Sequence, residues 1–107
     1  METHCVLIKL KPNCKDKVIK WAEYLNNNKQ EVTQSLINEG VTFESAYYTK
    51  VDEQEYMIYY MTAKDFNKAR EVAKLSTLKV DDYHKIFKEE CWESVHSTKN
   101  LINFEIK

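Results

Sequence analysis

A chain of 107 residues, 43% hydrophobic and 12% aromatic, is long enough for one domain and too apolar for disorder. Its formal net charge is −1 and its one arginine is Arg70, which leaves no basic surface for nucleic acid or an anionic membrane. One glycine (Gly40) and one proline (Pro12) exclude a glycine-rich phosphate loop and a flexible linker. Three widely spaced cysteines (Cys5, Cys14, Cys91) form no C-x-x-C and point to no disulfide framework. No apolar signal core and no run of 18 apolar residues occurs, so the expectation is a cytoplasmic protein with no membrane partner, folded as a single domain over residues 1–107.

Taken in order, His4 to Lys11 has the period of a strand, with Val6, Ile8 and Leu10 on one face and Cys5 and Leu7 on the other. Pro12 stops it, and Asn13 with Asp16 offers a cap for a helix from Asp16 to Glu39. The stripe of that helix is Val18, Trp21, Ala22, Leu25, Val32 and Leu36, and Gly40 follows as its terminator. Asn28 and Lys29 interrupt the stripe. The interruption is a bend in the helix, a turn of a helix long enough to leave the core, or a place where Asn28 or Lys29 reaches into a ligand pocket.

Two strands follow, Val41 to Lys50 and Glu55 to Met61, spaced for a hairpin. With Tyr48 opposite Met57, one face carries Phe43, Tyr47, Ile58 and Tyr60. The other carries Glu44, Ala46, Tyr48, Met57, Tyr59 and Met61. Thr62 and Asp65 form a capping box for a helix from Lys64 to Leu75. A second helix runs from Val80 to Trp92, with Asp81 and Asp82 at its positive start and a stripe of Val80, Tyr83, His84, Phe87 and Cys91. Ser94 to Asn100 has the composition of a loop, and Leu101 to Ile106 alternates as a last strand.

The order β-α-β-β-α-β, with its second helical block split, predicts an α+β ferredoxin-like sandwich with a four-stranded antiparallel sheet and its first and third strands central. We assign Val6, Ile8, Leu10, Phe43, Ile58 and Phe104 to the face beneath the helices. The opposite face would then expose Leu7, Tyr48, Met57, Tyr59, Met61 and Leu101, more than a monomer normally leaves bare. The expected partner is a second copy, a homodimer joined through that sheet face.

The run Ile8-Lys9-Leu10-Lys11-Pro12, the pair Glu44-Ser45, the run Tyr56-Met57-Ile58-Tyr59-Tyr60-Met61, Tyr83-His84-Lys85 and the run Phe87 to Glu93 resemble a small bacterial family of uncharacterised proteins. The element order resembles the dimeric α/β-barrel superfamily, which includes antibiotic-biosynthesis monooxygenases, haem-degrading monooxygenases and muconolactone isomerases. The resemblance covers nearly the whole chain and implies a dimeric α/β barrel. It leaves two functions open: a module that binds a small organic molecule or serves as an interaction domain, and a cofactor-independent enzyme of the monooxygenase or isomerase type. The haem-degrading relatives pair a late-helix histidine with an asparagine on the first strand and a tryptophan on the second helix. This chain has neither at those places, and no cofactor is expected.

Among single residues His84 is the first candidate, because its ordinary pKa suits acid–base work or ligand contact and it borders an apolar stripe. It is either packed against the core or part of a cavity with Tyr60 and Lys29. Lys9, Glu44, Tyr48 and Tyr59 are a second set. They form either an ion pair bridged by Tyr59 or a polar pocket in which Glu44 could act as a base. No metal site is expected: His4, His84 and His96 fall on three elements. Cys91 is seven residues from His84 on one helix, about 10 Å, and is expected in the core.

Overall fold

A computed structural model describes residues 1–107. Its elements are β1 (Glu2–Leu10), α1 (Lys15–Asn26), α2 (Lys29–Glu39), β2 (Val41–Val51), β3 (Gln54–Ala63), α3 (Phe66–Leu75), α4 (Lys79–Cys91) and β4 (Trp92–Ser97). All strand pairs are antiparallel and the sheet order is β2-β3-β1-β4, so the first and third strands are central. The result is an α+β fold with one open four-stranded sheet and four helices.

The gap at Asn28 and Lys29 is a break between two helices. Asn28 takes non-helical dihedrals as the N-cap of α2, and its amide donates to the Tyr24 carbonyl at 2.7 Å. Three consecutive asparagines, Asn26 to Asn28, compete for backbone hydrogen bonds and make this the weakest part of the pattern. Gly40 closes α2 with φ 74°, the left-handed geometry a glycine adopts without a Cβ clash. Two expected caps shift. Asn13 stands at φ 62° before Cys14, the N-cap of α1, and makes no side-chain cap bond. Asp65 is itself the N-cap of α3 and accepts from the amides of Asn67 and Lys68, while Thr62 stays within β3.

The hairpin register is the expected one, Tyr48 opposite Met57, with Val51 and Gln54 flanking a two-residue turn at Asp52 and Glu53. The pairing of that hairpin to β1 is not. Ile8 pairs with Met57 and Val6 with Tyr59, so Met57, Tyr59 and Met61 face the helices together with Val6, Ile8 and Leu10. Phe43, Tyr47, Ile58 and Tyr60 therefore join Leu7 and Lys9 on the open face, the reverse of the assignment made for β2 and β3. The reason is that β3 is apolar on both faces. Its own alternation says which residues share a face but not which face turns inward.

The last strand is also displaced. β4 starts at Trp92, directly after α4, where Leu10 faces it and the Lys11 amide donates to the Cys91 carbonyl at 2.8 Å. Residues 98–107 are in no helix or strand, so Leu101 to Ile106 is not the fourth strand. An edge strand needs only one paired side, and the polar run Glu93 to Ser97 conceals it in the sequence.

Only 14 residues are buried, and all of them but Ser35 and Val80 fall into two clusters. The larger joins β1, β3, α1 and α4 through Ile8, Leu10, Trp21, Met57, Tyr59, Phe87 and Cys91. The smaller joins Val41, Ala63 and Ala69, with Leu36 and Phe66 against them. Between the two the helices do not close on the sheet.

Candidate functional site

A cavity of about 350 Å³ occupies that space. Its walls come from both clusters: Val6, Tyr59 and Met61 of the sheet, Leu25 of α1, Leu36 of α2, Phe66 and Ala69 of α3, Val80 and His84 of α4, and Trp92 of β4. Binding pockets for small molecules start at roughly 300 Å³, so the space admits a small organic molecule. Twelve of the 21 lining residues are hydrophobic, and the other nine are polar or charged.

The geometry of His84 is set by Trp21. The indole Nε1–H donates to His84 Nδ1 at 3.1 Å while Trp21 stacks on Phe87 with centroids 4.9 Å apart. An indole nitrogen only donates, so Nδ1 is bare and the imidazole proton is on Nε2. Burial, helped by the Lys88 ammonium, lowers the His84 pKa to about 4. His84 is thus neutral near pH 7 and presents an Nε2–H donor for which no protein acceptor is within reach.

Tyr59 packs its ring among Trp21, His84 and Trp92, each about 6.0 Å away centroid to centroid. Its hydroxyl donates to Glu44 Oε1 in a long hydrogen bond of 3.4 Å. Burial first, then repulsion from Glu39, raises the Glu44 pKa to about 7; the Tyr59 hydrogen bond opposes this and Asp81 adds to it. Glu44 is therefore a carboxyl group that exchanges its proton near neutrality.

Trp92 lines the same wall with its ring. Its ring meets His84 edge-on at 5.9 Å and carries the Lys88 ammonium 5.5 Å from its centroid. Its Nε1–H is fully buried and has no hydrogen-bond partner. Leaving such a donor unpaired costs about 1–3 kcal/mol, which is unusual without a compensating role. On the helical wall the buried Ser35 hydroxyl lies 2.9 Å from Glu39 Oε2 and 2.7 Å from Asp81 Oδ1. Arg70, Lys85 and Lys88 supply cations to the lining. No three His, Cys, Asp or Glu side chains converge in a way that could hold a metal ion.

The site can therefore accept an apolar body, donate the His84 Nε2–H to an oxygen, and offer one carboxyl that titrates near neutral pH. Residues 1–105 match a family model described as "Family of unknown function (DUF6176)". The chain belongs to that family. No curated protein and no solved structure matches it. The DUF6176 match spans nearly the whole chain and so includes every wall of the cavity.

Of the residues singled out in this DUF6176 sequence, the fold brings His84, Glu44 and Tyr59 together. Lys29 is exposed at the start of α2, and Asn28 is spent on the helix break. Tyr60 points to the open face, beside a second hollow under Thr98 to Ile102, so it forms no cavity with His84 and Lys29. Tyr48 lies at the far end of β2 and donates to Glu55, which pushes its pKa up to about 12. Lys9 pairs with Glu93 at 2.9 Å on the face opposite Glu44, so the ion pair bridged by Tyr59 does not form. Trp21 and Trp92 are the contributors that sequence reasoning missed. Trp21 stood in the right stripe, and only the packing of α1 on α4 turns its N–H to His84. Trp92 stood at the end of a helical pattern, where nothing marked it as a strand residue. No helix is long and apolar enough to cross a membrane.

Proposed function

We propose that this protein binds a small, mainly apolar organic molecule in the cavity between its sheet and helices. The observation that carries this reading is the space of about 350 Å³ left open between the two core clusters, lined mainly by apolar side chains with His84, Tyr59 and Glu44 among them. A packed structural core would have filled the space. The test is a thermal-shift screen of small apolar compounds against wild type and Ala73→Leu, which fills the cavity from α3. Stabilisation of wild type that is lost in Ala73→Leu supports the reading. Equal shifts in both proteins, or none in either, defeat it.

The strand order β2-β3-β1-β4 supports a ferredoxin-like description of the fold, and the absence of a disulfide framework supports a cytoplasmic location. The partner we propose is a second copy. Phe43 and Tyr47 are 52% and 60% exposed on the open face, next to Ile58 and Tyr60. Leu101, Ile102, Phe104 and Ile106 extend past β4 with almost nothing over them. Two bare apolar surfaces on one chain are covered together if each copy places its extension and sheet face against the other.

A second reading is a cofactor-independent isomerase, and Glu44 is what favours it. Its carboxylate would take a proton from a carbon next to a carbonyl, the electron pair moving onto the carbonyl oxygen beneath the His84 Nε2–H. Return of the proton to another carbon completes the isomerisation. Deuterium uptake from D₂O into a panel of enolisable ketones, followed by proton NMR and abolished in Glu44→Gln, tests it. A panel that stays unlabelled counts against it.

A further inference from the structure

We propose that the segment Leu101 to Ile106 of one copy pairs as a strand with the free side of β1 at Thr3 in a second copy, each copy donating its segment to the other. This rests on the reading of a second copy as the partner and adds the contact that joins the two.

The central strand β1 is not flanked along its whole length. β3 pairs with it from Glu2 to Lys9, whereas β4 pairs with it only from Val6 to Leu10. One residue further on, the Thr98 amide donates to the Cys5 carbonyl at 3.3 Å, and the Thr98 hydroxyl donates to the same oxygen. In an antiparallel ladder alternate residues turn their backbone groups to opposite neighbours. Thr3, like Cys5, therefore turns its N–H and C=O to the β4 side. No strand stands beside Thr3 there, and a hollow of about 320 Å³ opens along Thr3, Cys5 and Tyr60. A sheet edge with unpaired backbone groups is a template for another strand.

A segment that fits this edge is on the same chain. Ile102, Phe104 and Ile106 alternate with Leu101, Asn103 and Glu105, the pattern of a strand with one apolar face. The segment is nevertheless in no strand, and Phe104 and Ile106 are 87% and 98% exposed. The Asn100 amide group explains why it does not fill the edge of its own chain. It donates to the Ile102 carbonyl at 3.4 Å and to Asn103 Oδ1 at 3.0 Å, closing a turn that breaks the run of β4 before Thr3. At about 3.3 Å per residue the segment spans about 20 Å, enough for the roughly 13 Å of edge from Glu2 to Cys5. It also leaves the sheet at Thr98, next to the edge it leaves open, so one two-fold axis near Thr98 brings both segments to both edges. An unrelated strand would cover the edge and leave the apolar segment bare. A second copy covers both.

The test follows the full chain at micromolar concentration by light scattering and by hydrogen exchange of the Thr3 amide. The wild type is expected to be a dimer. Ile102→Glu combined with Phe104→Glu changes exposed residues outside every helix and strand, and is expected to give a folded monomer. The Thr3 amide is expected to exchange at least about tenfold faster in that monomer than in the wild-type dimer. Thr3→Pro removes an N–H that no strand of its own chain uses, and is expected to weaken the dimer about tenfold or more. A dimer as tight as wild type in both variants overturns the strand pairing and leaves the second copy standing as partner. A Thr3 amide protected equally in wild type and in the monomeric variant also overturns the pairing, because its own chain then fills the edge. Loss of the dimer in the glutamate variant with Thr3→Pro as tight as wild type overturns it too, since the segment then packs without backbone pairing. A wild type that is monomeric throughout overturns the pairing and the partner together.

Discussion

Glu44 and His84 share one cavity and titrate in opposite senses. Between 4.5 and about 7 the unfolded chain has lost the Glu44 proton that the folded chain keeps, so stability falls as pH rises. Between 6.5 and about 4 the unfolded chain takes a proton that His84 refuses in the fold, so stability falls as pH falls. Each window is worth roughly 3 kcal/mol at full extent, and the two nearly cancel where they overlap. Single variants separate them. In urea unfolding across this range, Glu44→Gln is expected to gain stability steadily as pH rises from about 4 to 6.5. His84→Gln is expected to lose it from 4.5 to about 7. Parallel slopes in wild type and both variants would contradict the burial of these two groups.

The two tryptophans differ in the same way. Trp21→Phe removes the donor that holds His84 Nδ1 and is expected to destabilise by about 1–3 kcal/mol. Trp92→Phe removes a donor with no partner. In the ligand-free protein it is expected to cost much less than Trp21→Phe, because its unpaired N–H is lost along with part of the ring. Denaturant midpoints of the two variants provide the comparison.

At the level of elements, the hairpin turn is the most strained piece of backbone. Asp52 and Glu53 both adopt positive φ, 47° and 69°, where a non-glycine residue costs roughly 1–2 kcal/mol. Glu53→Gly is expected to stabilise by about 1 kcal/mol, its lost contact to Lys50 being exposed and weak. A thermal midpoint unchanged or lowered in this variant would contradict the turn geometry. The elements themselves were largely legible in the sequence. The 3.6-residue stripes covered every helical segment but ran α1 and α2 together as one helix, Gly40 marked the end of α2, and the Tyr48–Met57 register followed from hairpin spacing. Two things were not legible. β3 is apolar on both sides, so its inward face depends on pairing with β1. β4 is a short polar edge strand, outweighed in the sequence by the stronger alternation of Leu101 to Ile106. The site was legible only in part for the same reason. His84, Glu44 and Tyr59 each carried a chemical signal, whereas Trp92 became a cavity residue only through the misread fourth strand.

For the whole molecule, the cavity and the open face are separate consequences of one sheet covered on a single side. The helices bury one face and leave space between two core clusters. The other face keeps Phe43 and Tyr47 exposed. Phe43→Glu combined with Tyr47→Glu is expected to shift a dimer to monomer in light scattering without altering ligand binding, since neither residue lines the cavity. A wild-type protein that is monomeric at all concentrations would remove the dimer from the account.

The cavity itself is tested most directly by the indole N–H region of a proton–nitrogen correlation spectrum, because the chain has only two tryptophans. Trp92→Phe assigns its resonance by deletion. On titration with a compound that raises the thermal midpoint of the wild type, the Trp92 signal is expected to shift, because the Trp92 ring lines the cavity and meets His84 edge-on, while the signal of Trp21, which does not line it, moves less. Two resonances that stay still throughout the titration would contradict the site.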